Sequence, residues 1–280
     1  MRKVGFVGVG TIAEALIMGM SADGEHRADF LLSPRNRETS ARLKRRFSFA
    51  SVARDNQAVV DGSDIVFLAL RPQVAEEVIR ELRFRGTQQI VSLIAGLDIE
   101  RLSHLVAPAS EIYRLIPLPA NANRRGAITL YPPSEQLAEL LTGLGRLVQL
   151  DDEQELDLVW ASTSLMGAYF GFMNSITGWL TEHGVDPVNA RGFVAAVFHG
   201  LAASALEQSS EGFEKLIVDH STVGGLNEQA YRELVAAGWT DRIHEVLTLI
   251  HERILGRATL ETKLPINRRS TSAVDSRAAN

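Results

Sequence analysis

The sequence predicts an α/β protein, a doubly wound sheet followed by an all-α domain. Three observations carry this prediction. The chain opens with a short apolar run, residues 4–7, which passes through a glycine turn into a helical pattern. Apolar strand patterns then alternate with helical patterns as far as residue 150. From residue 152 onward the strand patterns stop and the chain continues as successive helices. We therefore expect domains over 1–150 and 151–264, with a polar, aperiodic and disordered tail over 265–280.

The glycine turn has the spacing of a dinucleotide-binding strand-to-helix turn. Gly8 permits the tight turn, and Gly10 lets a pyrophosphate approach the backbone. The third position is Ala13, which is small enough for the helix to sit close to the strand. The helix that opens at Thr11 and Ile12 offers unpaired N–H groups to the phosphates. The pattern indicates a Rossmann-type cofactor site, and the alternative is a tight turn without a ligand.

A second short apolar strand is predicted over residues 30–32, and the residues after it indicate which dinucleotide is used. An NAD site would be expected to carry Asp or Glu here, to hold the ribose 2′-hydroxyl. The chain instead carries Ser33, Arg35, Asn36 and Arg37, which suit a 2′-phosphate. We predict that the cofactor is NADP(H), and NAD is the alternative cofactor. The alternative is a solvated basic start to the next helix.

Five further strands are predicted, over residues 64–70, 90–94, 111–116, 127–131 and 147–150. Ligands of such sheets gather at the carboxyl ends of the strands. The loops 71–73, 95–96 and 117–121 are therefore expected to surround the nicotinamide. The cofactor contacts predicted at these strand ends are Ala69, Leu70, Arg71, Pro72, Ala95 and Gly96.

Composition excludes several classes of site and partner. The 280 residues include no cysteine, which excludes disulfides, thiolate metal sites and a cysteine nucleophile. A net charge of −5 gives no support to a nucleic-acid or anionic-membrane surface. The spacing of the histidines suggests no metal site. The N-terminal apolar stretch is broken by glycines, so it is not read as a signal peptide, and no run approaches the ~20 apolar residues of a membrane span. We predict a cytoplasmic protein.

The second half begins with one predicted long helix over 152–182 that is apolar on most of its surface. Such a helix must be buried, and this half is too small to wrap it alone. We therefore predict that this helix is buried in a helical interface between subunits. We expect a homodimer, or a higher oligomer of dimers.

Several motifs of the first half together resemble the pyrroline-5-carboxylate reductase family. They read GFVGVGTIAEALIMGM, SDIVFLALRPQ, IVSLIAGLDIERL and YRLIP followed by ITLY. The resemblance implies a Rossmann domain and a helical dimerisation domain. It also implies NAD(P)H-dependent reduction of a cyclic imino acid, delta-1-pyrroline-5-carboxylate, to proline by hydride transfer to C=N.

The resemblance also implies a substrate site in the second half, with departures from the family pattern. The family's SPGGTT loop corresponds to Ser221, Thr222, Gly224, Gly225, Leu226 and Asn227, whose backbone N–H groups would bind the substrate carboxylate. Asn227 takes the place of a family threonine and can still donate a hydrogen bond to the substrate nitrogen. His220, beside the loop, is a candidate acid, or a helix-end cap. The family's SGSGP stretch is bulkier here, at residues 163–167, which predicts a pocket of changed shape.

Two other functions stay open at this point. One is a reductase or dehydrogenase of the same fold that acts on a different oxo or hydroxy acid. The other is a non-catalytic NADP-binding dimer.

Overall fold

A computed structural model describes residues 2–264, and the predicted tail over 265–280 lies outside these residues. The chain divides into two compact units, one ending at Trp160 and the other beginning at Ala161. The sequence predicted the division after residue 150, before the first helix of the second half. The start of that helix belongs to the first unit because its side chains pair there with a buried arginine of the sheet.

The first unit is built on one eight-stranded sheet with the order β3-β2-β1-β4-β5-β6-β7-β8. All neighbours are parallel except β6 and β7, which are antiparallel. This arrangement confirms the predicted doubly wound fold. The strands are β1 (Arg2–Val7), β2 (Ala28–Leu32), β3 (Ala50–Val52), β4 (Ile65–Leu68), β5 (Gln89–Ser92), β6 (Glu111–Ile116), β7 (Ala127–Tyr131) and β8 (Arg146–Gln149).

Helices flank this sheet in the first unit and make up the second. The first six are α1 (Thr11–Met20), α2 (Arg37–Arg46), α3 (Asn56–Asp61), α4 (Pro72–Arg80), α5 (Ile99–Val106) and α6 (Glu135–Leu141). The others are α7 (Glu153–Thr163), α8 (Met166–Glu182), α9 (Pro187–Glu207), α10 (Phe213–Asp219), α11 (Leu226–Ala236) and α12 (Trp239–Ile254).

Alternate residues of the central strands supply two separate apolar cores. Phe6 and Phe67 stack at 4.8 Å within the core that α1, α2 and α6 cover. Val7, Val66 and Leu68 point into the other core, which α3, α4 and α5 cover. Because both faces of the sheet are buried, the strands read as continuous apolar runs in the sequence.

The edge strand β3 was not predicted from the sequence. It has only three residues, and it pairs with β2 on one side. Of its residues only Ala50 is buried, so it lacks the apolar run by which the central strands were predicted. Packing of Phe49 against Phe30, with ring centres 5.9 Å apart, holds this edge in place.

The predicted single helix over 152–182 is wrong, since the structure divides it into α7 and α8. At the break, Ser164 N–H donates to Ala161 O and Leu165 N–H donates to Ser162 O. These bonds span three residues rather than four, so the chain tightens into a 3-10 turn before α8 begins.

The helical unit packs around aromatic contacts but leaves much apolar surface exposed. Phe198 of α9 lies edge-on to Tyr169 and Phe172 of α8, at 5.9 and 5.6 Å. Even so, Phe170 and Phe193 are each 66% exposed in the single chain. Within the described residues, none of the helices has the length and apolar character to cross a bilayer.

Candidate functional site

The glycine turn after β1 is held in a conformation that only glycine adopts without strain. Gly8 has φ +93°, and a Cβ on it would lie 2.3 Å from the carbonyl oxygen of Ala69, after β4. Its N–H donates to Ser33 Oγ at 3.1 Å. The turn is therefore fixed between the ends of β2 and β4.

The N-terminus of α1 is open to a ligand. A Cβ on Gly10 would meet nothing within 4 Å, and no side chain caps the helix there. The first backbone bond of the helix runs from Glu14 N–H to Gly10 O, so the amides before it have no acceptor within the helix. Thr11 is exposed and Ala13 is fully buried against the sheet. These are the features that a dinucleotide pyrophosphate requires.

The carboxylate of Glu14, in the first turn of α1, is paired with an arginine, which reduces its repulsion of a phosphate. Both its carboxylate oxygens accept hydrogen bonds from Arg42 of α2, at 2.7 and 2.8 Å. These hydrogen bonds raise the pKa of Arg42 above its ordinary value. The ion pair joins α1 to α2 and neutralises the one acidic side chain in this turn.

A cleft of about 480 Å³ lies at the turn, and its cationic side chains suit a phosphate monoester. Arg35 lines it from the β2–α2 loop, Arg37 from the first position of α2, and Arg71 from the segment between β4 and α4. No carboxylate is among its lining residues. The full lining is Gly8, Val9, Gly10, Arg35, Asn36, Arg37, Ala69, Leu70, Arg71 and Val74.

Two residues of the β2–α2 loop that were predicted to contact the cofactor form hydrogen bonds that hold the loop itself. Ser33 is fully buried and is not among the cleft residues, so its hydroxyl braces Gly8 instead of reaching a ligand. Asn36 lines the cleft, but its side-chain amide donates to Val9 O at 3.0 Å and its oxygen accepts from Thr39 N–H. The sequence pattern could not distinguish bracing groups from exposed ones.

The strand-end residues predicted around the nicotinamide do not form one group. Ala69, Leu70 and Arg71 line the cleft beside the glycine turn, and Pro72 starts α4 next to them. Ala95 and Gly96 lie in the β5–α5 loop, outside this cleft, and Gly96 has φ +71°. Of the predicted 117–121 loop, Asn121 is fully buried and holds the loop by donating to Leu144 O at 2.8 Å.

The glycine loop of the helical unit is closed by its own hydrogen bonds. Gly224 has φ +72°, and Gly225 N–H donates to Thr222 O at 2.8 Å. Asn227 donates from its side-chain amide to His220 O at 2.9 Å. Gly225 precedes α11 with no side-chain cap, so the first amides of that helix have no acceptor within the helix.

The remaining residues of this loop separate into structural and exposed groups. The ring Nδ1 of His220 lies 2.8 Å from Leu216 O, which is the helix-end position that the sequence allowed as the alternative to an acid. Ser221 is half-buried, whereas Thr222 is exposed and Leu226 is 85% exposed. Across residues 2–264 no cluster of His, Asp or Glu could hold a metal ion.

Three residues of interest were not predicted as site residues in these roles. Arg71 was predicted beside the nicotinamide, but it shares a cleft with Arg35. Glu228 accepts a hydrogen bond from Gly224 N–H at 2.5 Å. Arg114 is buried within the sheet. For Arg114 the sequence signal is an arginine beside the apolar residues of its strand.

Two family models match the chain, one in each unit. Residues 3–96 match the family described as NADP oxidoreductase coenzyme F420-dependent. Residues 153–255 match pyrroline-5-carboxylate reductase dimerisation. The first match agrees with the cationic cleft and makes the protein an NADP-dependent oxidoreductase, and the second gives it a dimerisation domain.

Similar proteins cover nearly the whole chain. Pyrroline-5-carboxylate reductase 2 of Bacillus subtilis is 28% identical over 84% of this chain and 87% of its own. The Pseudomonas aeruginosa pyrroline-5-carboxylate reductase is 28% identical over 90% of this chain and 95% of its own. The crystal structure of 1-pyrroline-5-carboxylate reductase from Streptococcus pyogenes has the same fold, with a TM-score of 0.78 at 21% identity over 91% of this chain and 98% of that one. The glycine turn, the helical unit and these matches together support the resemblance of this chain to the pyrroline-5-carboxylate reductase family, over most of its length.

Proposed function

We propose that the protein reduces delta-1-pyrroline-5-carboxylate, or a closely related cyclic imino acid, with NADPH. The observation that carries this proposal is the open glycine turn with its three guanidinium groups, Arg35, Arg37 and Arg71, in a chain whose curated relatives carry this activity in their names. Other reductases share the fold, but the match to the dimerisation family favours this substrate class.

In this proposal the first unit holds the cofactor through its backbone. The amides at Gly10 and the start of α1 bind the pyrophosphate, and Arg35, Arg37 and Arg71 bind the 2′-phosphate. NADPH supplies the hydride when it is bound. NAD is the weaker cofactor, because no carboxylate lines the cleft to hold a 2′-hydroxyl.

In the helical unit we assign the substrate carboxylate to the loop from Ser221 to Asn227. The uncapped amides at the start of α11 suit an anion, and this use of the loop follows from the family resemblance. Asn227 shapes the loop through its bond to His220 O and keeps its side-chain oxygen as an acceptor. A protonated imine requires little further activation, so positioning is the main task of the protein.

We also propose that the active form is a homodimer or an oligomer of dimers, formed through the exposed apolar faces of α8 and α9. The location we propose is cytoplasmic, on the sequence grounds given above.

The test is an assay of NADPH consumption with delta-1-pyrroline-5-carboxylate, with proline identified as the product. Turnover with proline formation supports the proposal. Absence of turnover at high enzyme concentration would refute it for this substrate. A panel of cyclic imines and oxo acids then separates a different substrate from a protein that binds NADPH, seen by fluorescence, without turning over any of them.

A further inference from the structure

A buried arginine of the sheet is connected through one carboxylate of α7 to the start of α5. Arg114 lies on β6, paired in register with Ser92 of β5 and Tyr131 of β7. Its side chain is 1% exposed. An arginine cannot lose its charge in a protein, so its burial requires partners.

Those partners come from one face of α7. Nη1 of Arg114 donates to Glu153 Oε1 at 2.8 Å, and Nη2 donates to Asp157 Oδ1 at 2.9 Å. The ring of Trp160 lies 5.4 Å from the guanidinium carbon. Residues 153, 157 and 160 are one helical turn apart in succession, so α7 presents all three side chains to the same point.

Glu153 has a second role that Asp157 does not share. The same oxygen, Oε1, also accepts a hydrogen bond from Ile99 N–H at 2.9 Å. Ile99 is the first residue of α5, which directly follows the loop containing Ala95 and Gly96. A continuous chain of hydrogen bonds therefore runs from β6 through Arg114 and Glu153 to Ile99, where the β5–α5 loop enters α5.

The start of α5 has more hydrogen-bond acceptors than capping of that helix requires. Asp98 already caps α5 by accepting from Arg101 N–H, so Glu153 is an additional acceptor at this helix start. Nε of Arg114 has no hydrogen-bond partner among the described residues. An apolar residue in place of Arg114 would fill the same space, but it would leave Glu153 without the group that fixes its carboxylate beside Ile99.

We propose that Arg114 and Glu153 are positioning residues, which hold the β5–α5 loop in the place from which it aligns the nicotinamide for hydride transfer. This inference rests on the proposed function and on the sequence prediction that Ala95 and Gly96 contact the nicotinamide side of the cofactor. Neither residue is assigned to contact a reacting atom. Their effect passes through the backbone at Ile99.

The chain offers a matched pair of variants for the test. Glu153→Ala and Asp157→Ala each remove one of the two carboxylates of Arg114, but only Glu153→Ala removes the acceptor of Ile99. We expect both to lower Tm. We expect kcat to fall about tenfold in Glu153→Ala and less than about twofold in Asp157→Ala, because small misplacements of a reactant are costly. Glu153→Gln, which keeps an acceptor for Ile99, should recover most of kcat.

Two further readouts separate positioning from general destabilisation. The kinetic isotope effect with C4-deuterated NADPH should rise in Glu153→Ala alone, as hydride transfer becomes slower. Amide hydrogen exchange of the segment containing Ile99 should accelerate in Glu153→Ala and stay unchanged in Asp157→Ala. Equal loss of kcat in the two alanine variants, or equal exchange at Ile99, would overturn the proposal. An inactive wild type would instead refute the proposed function, and hydrogen exchange would still decide whether Glu153 holds the loop.

Discussion

The arginines of the first unit differ in whether they form an ion pair with a carboxylate. Arg42 is paired with Glu14, and Arg114 with Glu153 and Asp157. In the part of the chain that the structure describes, no carboxylate lies within 4 Å of the guanidinium of Arg35 or Arg71, although both line the cleft. A guanidinium that is not paired with a carboxylate has its N–H donors available to bind a phosphate. Arg35 and Arg71 are therefore the residues to test first.

Arg35→Ala and Arg71→Ala should each raise KM for NADPH about tenfold, since a charge-assisted hydrogen bond contributes about 1.5–3 kcal/mol. KM for NADH should change little, because NADH lacks the 2′-phosphate. Steady-state kinetics with both cofactors check this. Arg45→Ala, an exposed arginine of α2 outside the cleft, is the control. Equal losses for NADPH and NADH would contradict the assignment.

Asn227→Ala should raise KM for the imino acid and leave NADPH affinity unchanged. The change removes the bond to His220 O that closes the glycine loop, so the amides at the start of α11 lose their fixed direction. Substrate kinetics and NADPH fluorescence titration measure the two effects. An unaltered kcat/KM would remove Asn227 from the site.

Glu228→Gln should lower KM for the substrate. The carboxylate of Glu228 accepts from Gly224 N–H, in the loop to which we assign the substrate carboxylate, so its negative charge opposes that anion. The amide side chain keeps an acceptor for Gly224 without the charge. A raised KM would show that Glu228 is needed as a structural cap of the loop.

At the scale of elements, the β1–α1 turn combines two glycines with different functions. A Cβ on Gly8 would clash with the backbone of Ala69, whereas a Cβ on Gly10 would meet no atom within 4 Å. The sequence pattern treats both as fingerprint positions, and only the surrounding strands distinguish them. Ser33, directly after β2, accepts the hydrogen bond of Gly8 N–H, and Ala69, after β4, leaves no room for a Cβ on Gly8.

This difference makes a matched pair of substitutions informative. Gly8→Ala should lower the free energy of unfolding by about 3 kcal/mol, because it combines a positive φ with a clash against Ala69 O. Gly10→Ala should leave Tm nearly unchanged and weaken NADPH binding, because its methyl group takes the place of a phosphate. Thermal unfolding and NADPH titration test the pair. A Gly10→Ala variant with normal NADPH affinity would exclude pyrophosphate from this turn.

At the scale of the whole molecule, the two units bury their apolar residues differently. The first has a core on each face of its sheet. In the second, α8, α10, α11 and α12 contain no fully buried residue, and large apolar side chains stand exposed on α8 and α9. A monomer rarely exposes a surface of this kind.

Phe170→Glu should therefore weaken self-association. The side chain is 66% exposed in the single chain, and a charge there would lose hydration in an apolar interface. Sedimentation velocity over a range of concentrations measures the effect, with Arg54→Glu in the first unit as the control. A variant that self-associates as strongly as the wild type would exclude this face of α8 from the interface.

The sequence by itself determined the doubly wound sheet, the glycine turn and the choice of NADP, because each depends on local patterns. Continuous apolar runs reflect burial on both faces, and the absence of an acidic residue after β2 is visible in the chain. It could not predict the edge strand β3, which is too short and too exposed to show an apolar run. Nor could it predict the break between α7 and α8, because the apolar pattern continues through it.

Only the tertiary structure decided which polar residues are free to meet a ligand. Ser33 and Arg35 are two positions apart, yet one braces a buried turn and the other lines the cleft. Arg71 joins Arg35 across more than thirty residues of sequence because β2 and β4 flank β1 in the sheet. Burial and partnership arise from strands and helices that are distant in the chain, so they follow from the fold rather than from any local pattern.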